Sequence, residues 1–450
     1  MQQCTHNDGR ISTLSHPRFG LDELMKDVAW CEGVTRPPFE SVQSLTDERF
    51  DLAVVGGGLA GVSAARSAAA HGLTTVLFEA NTIGSGASGR NAGFVVPHYP
   101  GASPAAVEQL LGKRKGSQLN ALVAAGAGQV FEEIRTHNIY CDAVQNGWMQ
   151  AAHSEKSSRT VQRMLRDWQA YGADVEYLSS EAVAERLGTN SYTDGWFAAS
   201  GGYVNPYALT IGLASVAKQA GVQIVEHATV AAMSKDPSGY VLHAGEHQFH
   251  ANKVLLATNG YTGAQWGALA RATVPVRLYT TLSAPITSNL RQQILPSRPC
   301  VSDLHAAPRF TRLDEQGRLV AAGMASLFGD RRHKAQRSAG HVIAETFPNL
   351  GEQVVDRYWE GYCAMSASGL PSLYKLDAGA YAIGGFSGRG VSLAQALGPV
   401  LGGLMSETIG EEAVPLEVVS PRADPLFTIK RFAAPIAYRM LKQVDQFKLS

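Results

Sequence analysis

Three glycines and one acid carry the first chemical signal. Gly56, Gly58 and Gly61 fit G-x-G-x-x-G directly after the apolar run Phe50–Val55, and Glu79 closes a second apolar run, Thr74–Phe78. A strand buried on both faces reads as a short apolar run of this kind. The first glycine permits a tight turn, the second lets a diphosphate approach the backbone, and the third lets helix and strand pack closely. A helix is expected from Leu59 and Ala60 to about His71, with Gly72 left-handed just past its end. The N–H groups and dipole at the start of such a helix stabilise a diphosphate. An acid about 20 residues beyond the glycines is placed to accept hydrogen bonds from a ribose diol. Strand, helix, strand and acid agree, so the stretch predicts a βαβ dinucleotide site. It does not choose between NAD and FAD.

Three more segments must be brought to that site. Gly84–Gly93 reads GSGASGRNAG. It is too rich in glycine and serine for a core element and is expected as a loop wrapping a ligand, offering backbone N–H groups and serine hydroxyls. Lys253–Ala257 reads as a buried strand ending in Thr258, Asn259 and Gly260, where small residues pass close to the cofactor. Tyr381–Gly384 is another buried strand, opening into Gly385-Phe386-Ser387-Gly388-Arg389-Gly390-Val391 before a helix expected over Ser392–Glu407. The start of that helix is placed to stabilise negative charge on a ligand.

The rest of the chain must hold these turns in place. Helices are expected over much of Pro104–Ala151, and over Ser154–Tyr171, Ser179–Leu187, Tyr207–Gly221 and Gly340–Phe347. Strands are expected at Asn146–Ala152, Val222–Glu226, Ala228–Met233, Val274–Ala284 and Val354–Tyr362. Two hairpins are expected, Tyr240–Ala244 with Gln248–Ala251 and Arg309–Leu313 with Arg318–Ala322. Leu21–Trp30 suits a short amphipathic helix ahead of the nucleotide unit.

A length of 450 residues suits two domains. Formal net charge is zero, with no basic block, so nucleic acid is not an expected partner. Five scattered cysteines with no C-x-x-C give no reason to expect a disulfide framework or a metal site, and suit a reducing compartment. The first residues are polar, and no apolar run reaches the roughly 18 residues that span a bilayer. A soluble, cytoplasmic protein with no transmembrane segment is expected; the oligomeric state stays open.

Together the Gly56–Gly61 fingerprint, Gly84–Gly93, Ala257–Gly260 and Gly384–Val391 resemble the FAD-dependent amino-acid and amine oxidoreductases, the family of D-amino-acid, glycine and sarcosine oxidases. Ser200-Gly201-Gly202 with Asn205-Pro206 adds to the likeness, which is strongest to the gamma-glutamylputrescine oxidoreductase subgroup. The resemblance implies an α/β fold: a Rossmann-like FAD-binding domain and an interleaved α+β substrate domain with a mixed or antiparallel sheet. The expected division is a leader at 1–49, an FAD domain from 50–95, 200–275 and 355–410, a substrate domain from 96–199 and 276–354, and an extension at 411–450. It implies FAD contacts from Gly56, Gly58, Leu59, Ala60, Gly61, Glu79 and Ala80. It further implies Ser85, Gly86, Ser88, Gly89, Arg90, Asn91, Ala92 and Gly93, then Val230, Thr258, Asn259 and Gly260, and finally Gly385, Gly388, Arg389, Gly390 and Val391.

The implied reaction oxidises the C–N bond of a small-molecule amine or amino acid to an imine, which water hydrolyses. Dioxygen or an electron carrier takes the electrons. Alternatives are a deaminating dehydrogenase for D-amino acids, glycine or sarcosine, and a non-catalytic FAD-binding protein. Some relatives attach FAD to a late cysteine; Cys363 lies in a different phrase, so non-covalent FAD is expected. For the substrate, one of Arg309 and Arg312 is a candidate to fork onto a carboxylate, with a structural ion pair as the rival. His98, just after the glycine-serine loop, and Tyr362, on a strand near the last flavin segment, complete the catalytic candidates.

Overall fold

The computed structural model describes residues 25–45, 48–351 and 353–446. Two large sheets organise them. In the first, Arg49–Val55 runs parallel to Thr75–Phe78 on one side and to His247–Leu256 on the other. Gln223–Val225 and Ala380–Gly384 extend this parallel core. Leu52, Ala53 and Val54 are fully buried, which is why the strand reads as an unbroken apolar run. The helix Leu59–Ala70 lies against the sheet, and Gly398–Met405 packs against that helix. The approach is close: a Cβ on Gly402 would collide with Ser67 Oγ.

The second sheet has eight strands in the order Val355–Met365, Val274–Pro285, Arg318–Met324, Phe310–Leu313, Cys300–Asp303, Trp148–Ala152, Asp194–Ala198, Val175–Leu178. All neighbours are antiparallel except Cys300–Asp303 with Trp148–Ala152, which is parallel. A Rossmann-like parallel sheet beside a mixed, mainly antiparallel one is the architecture expected from the sequence.

Several elements differ from expectation. Gln248–Ala251 and Lys253–Ala257 are one strand, His247–Leu256, which pairs antiparallel with Gly239–Ala244 and parallel with Arg49–Val55. Val355–Met365 pairs along its length with Val274–Pro285. The segment expected to rejoin the cofactor part at 355 therefore first completes the second sheet, and the first sheet resumes only at Ser372–Asp377. Ser392–Glu407 is two helices, Gly390–Ala396 and Gly398–Met405, divided around Leu397 with Pro399 in the first turn of the second. Gly84–Gly93 contains a short regular turn that was not expected. Ala87–Arg90 makes a helical turn, and Ser85 and Arg90 are buried.

Part of the expected helix Leu21–Trp30 lies outside the described residues; Ala29–Cys31 is a 3₁₀ turn. The helix Phe427–Gln446 was not foreseen. Among the described residues no helix is long and apolar enough to cross a membrane.

Candidate active site

A cavity of about 1550 Å³ is lined from both sheets. At one end stand the turns of the first sheet. Gly56, Gly58, Leu59, Ala60, Glu79, Ala80 and Val230 all line it. Gly56 sits at φ +116°, and a Cβ there would lie 2.8 Å from the Ala257 carbonyl oxygen, so only glycine fits. Gly61 does not line the cavity; its missing Cβ lets the helix approach the Gly56 carbonyl. Glu79 Oε2 accepts from Gly57 N at 2.7 Å and Oε1 from Asn81 N at 2.9 Å. Each oxygen keeps acceptor capacity for a diol. Burial pushes the Glu79 carboxyl up against the pull of these two N–H groups, and the Glu226 carboxylate adds to the rise.

The other three turns close on the same space. Ser85, Gly86, Ser88, Arg90, Asn91 and Ala92 line the cavity, as do Thr258, Asn259 and Gly260, and Gly388, Arg389, Gly390 and Val391. Gly89, Gly93 and Gly385 do not line it. Gly89 and Gly93 instead allow close backbone passage by Gly84 and Val204, while Gly385 N donates to Asn259 Oδ1 at 3.0 Å and ties two turns together. Ser88 Oγ accepts from Leu59 N at 2.9 Å, so this hydroxyl joins the loop to the helix start.

Arg90 bridges the sheets: Nε donates to Ser85 O at 2.6 Å and Nη1 to Glu360 O at 3.2 Å. Burial pulls its pKa down. Trp359 Nε1 donates to Arg90 O at 2.8 Å, and Trp30 Nε1 to Asn91 O at 2.9 Å. These two tryptophans meet edge to face with centroids 5.3 Å apart. The N-terminal segment thus buttresses the glycine-serine turn. Ser85 Oγ, Arg90 Nη2 and Arg389 Nε are buried without a protein partner. Polar atoms of that kind need a ligand or water, and all three belong to cavity-lining residues. The residues therefore fit a large polar cofactor with anionic groups.

The second sheet and the helix Arg331–Thr346 bring charge to the same cavity. Arg277 Nη2 donates to Tyr362 Oη at 2.6 Å, its guanidinium lies 5.3 Å from the centre of the Tyr362 ring, and Nη1 is 3.5 Å from Glu360 Oε2. Arg331 Nε donates to Glu360 Oε1 at 2.8 Å, and the Tyr358 hydroxyl donates to the same oxygen. All five residues line the cavity. Cys363 lines it too, with a thiol pushed up to about 11 by burial.

Of the four catalytic candidates, only Tyr362 is in this wall. His98 is buried against Trp148 and Trp196, at centroid distances of 4.2 and 5.5 Å, and burial holds it neutral. Arg309 pairs with Glu345 at 2.7 Å, the structural ion pair that was its rival role. Arg312 is buried; it donates to Ala92 O at 2.7 Å and Val204 O at 3.3 Å and lies over the Tyr203 ring. Its long side chain reaches back to the end of the glycine-serine turn, which strand position alone does not reveal. Arg277 and Glu360 were missed. The available signal was a lone arginine within the apolar strand Val274–Ala284; Arg331, on a helix, carried no such signal.

The comparisons with known proteins agree with this geometry. Residues 51–404 match the model of the family described as FAD dependent oxidoreductase (DAO). The chain is 28% identical over 372 residues to gamma-glutamylputrescine oxidoreductase of Escherichia coli (strain K12), covering 82% of this chain and 86% of that protein. It is 26% identical to glycine oxidase of Geobacillus kaustophilus (strain HTA426) over 338 residues, covering 72% and 84%. In fold it is similar to the crystal structure of glycine oxidase from Geobacillus kaustophilus, with a TM-score of 0.66 at 23% identity, over 81% of this chain and 96% of that one. L-proline dehydrogenase from P. horikoshii gives 0.67 at 18% identity, over 82% and 96%. With glycine turns, the acid and the unpartnered guanidinium nitrogens of Arg90 and Arg389 on one cavity, the chain belongs to the FAD dependent oxidoreductase family, and it is an enzyme whose cofactor is FAD.

Proposed function

We propose that this enzyme oxidises the C–N bond of a small amine or amino acid, a gamma-glutamylputrescine-like compound first among them. The product is an imine, which water hydrolyses to a carbonyl compound and an amine or ammonia, while dioxygen is reduced to peroxide. The observation that carries this reading is the continuity of one cavity from the dinucleotide turns to the Arg277–Tyr362–Glu360 wall. FAD, when bound, supplies the two-electron acceptor.

The chain's own residues do the rest. Gly56, Gly58, Leu59 and Ala60 offer backbone to the diphosphate, and Glu79 accepts from the ribose. Arg90 and Arg389 supply positive charge. Arg277, with Tyr362 held on its guanidinium, orients a substrate carboxylate. The apolar walls, Trp148, Phe310 and Met324 among them, disfavour the ammonium form of the substrate and so keep the reacting amine neutral. The flavin is held non-covalently, since Cys363 lies on the strand Val355–Met365 and outside the late turn Gly385–Val391.

Gamma-glutamylputrescine, after which that relative is named, carries both a carboxylate and an amine. A quinone as acceptor is the second reading, favoured by the apolar outer face of Phe427–Gln446.

The test is anaerobic addition of gamma-glutamylputrescine, sarcosine, glycine, proline and D-amino acids to the yellow protein. Bleaching by one amine, with recovery in air and stoichiometric peroxide, is the expected result. Bleaching with slow recovery and no peroxide removes dioxygen as acceptor, and no bleaching by any amine removes the C–N reading. Acid precipitation should leave the flavin in the supernatant.

A further inference from the structure

We infer that the helix Phe427–Gln446 docks the protein on an anionic lipid surface. Ile429, Phe432, Ile436 and Met440 follow one another at three- and four-residue spacing, so they share one side of the helix. They are 63%, 51%, 47% and 60% exposed, and Leu426 and Leu441 border them at 49% and 40%. Half of the exposed large hydrophobics among the described residues fall within these sixteen positions. Single exposed apolar side chains are ordinary, but a contiguous stripe marks an interaction surface.

The stripe is not the face that packs on the body. The opposite side is already engaged. Arg431, Ala434 and Tyr438 line the active-site cavity. Lys442 Nζ donates to Ser338 Oγ at 2.5 Å, and the Asp445 carboxylate accepts from Ala306 N and Ala307 N at 2.8 and 2.9 Å. The helix is therefore fixed by its polar side with its apolar side outward. A surface-lying helix needs that arrangement.

Charge selects the occupant. The molecule is neutral overall, yet residues 422–445 carry five cations, Arg422, Lys430, Arg431, Arg439 and Lys442, against Asp424 and Asp445. Asp424 is taken by Lys430 at 2.6 Å, and Asp445 is turned to the body. Arg431 is turned to the cavity, while Arg422 and Arg439 are exposed and pair with no carboxylate among the described residues. A second copy on this face would bring arginines together with no acid to meet them, and like charges oppose that contact. Anionic head groups meet the arginines, and the acyl region receives the stripe.

The test is flotation of the full-length flavin-loaded protein with vesicles of phosphatidylcholine, alone or mixed with phosphatidylglycerol. Binding is expected only to the mixed vesicles and should weaken as salt is added. The double variant Phe432→Glu/Ile436→Glu should lose at least about 10-fold in binding while keeping the wild-type flavin spectrum. Arg439→Glu should weaken binding with the stripe intact. The variant Ile436→Trp reports directly, its emission shifting to the blue on mixed vesicles. Failure of the wild type to float, equal flotation of the double variant, or unshifted emission from the Ile436→Trp variant each overturns the inference. So does a concentration-dependent dimer that the same variants dissociate without vesicle binding; a second copy would then own the stripe.

Discussion

The two residues that bind the site together chemically are Arg90 and Glu79, and each makes a separable prediction. Arg90 donates to Ser85 O and Glu360 O, and its remaining nitrogen has no protein partner. Arg90→Met leaves two carbonyls unpaired, at about 1–3 kcal/mol of apoprotein stability. If the free nitrogen meets an anionic group of FAD, flavin affinity falls by at least about 10-fold as well. Flavin titration of the apoprotein measures this, and unchanged affinity would confine Arg90 to the framework. Glu79 tests pH linkage. Burial raises its carboxyl above the unfolded value. Its contribution to stability is therefore fully present below the unfolded pKa and is lost as pH rises through the folded one. The Tm of the wild-type apoprotein, relative to Glu79→Gln, should fall as pH rises from the ordinary carboxylate range toward neutrality. A difference independent of pH would contradict it. Glu79 was legible because spacing after a glycine turn fixes where a residue stands. Arg309 and Arg312 were not, because their partners, Glu345 and the carbonyls of Ala92 and Val204, lie far off in sequence.

At the scale of elements, the glycine-serine turn keeps its shape because other segments hold it. Trp30 is buried, donates to Asn91 O, packs against Trp359, and lies under the Arg312 guanidinium at 5.0 Å. Trp30→Ala should cost about 3–5 kcal/mol and release flavin more readily, read by denaturant midpoint and by flavin loss on gel filtration. A variant that loses stability but retains flavin as tightly would separate the buttress from the site. Gly402 is the counterpart on the helix pair. Gly402→Val would place a branched side chain on Ser67, forcing Leu59–Ala70 and Gly398–Met405 apart. Overpacking of this kind costs about 1–3 kcal/mol, and thermal melting should show it. The long periodic helices and the parallel strands were legible in the sequence. Cys300–Asp303 and Asp194–Ala198 were not: four- and five-residue segments inside a sheet owe their conformation to partners on both sides rather than to pattern. The Phe427–Gln446 helix stayed hidden for another reason. Its outward face is apolar, and Pro435 interrupts a pattern that otherwise marks a helix.

At the scale of the molecule, the cavity is not the property of either sheet. The first supplies the turns and the second supplies Arg277, Tyr362 and Glu360, while Arg90 and Trp359 cross between them. A ligand that fills such a space stabilises whatever must be assembled to bind it. Its contribution is RT ln(1 + [L]/Kd), about 2.7 kcal/mol at a hundredfold excess over Kd. If the sheets unfold as one unit, FAD raises the melting point equally by every probe. Trp148 and Trp196 report on the second sheet, and far-ultraviolet dichroism reports on both. Their midpoints should therefore coincide and move together as FAD is added to the apoprotein. A tryptophan transition that stays in place while dichroism shifts would mean that the second sheet folds without regard to the cofactor. The substrate wall would then be prebuilt, and the bridge through Arg90 and Trp359 would not couple it to the dinucleotide turns.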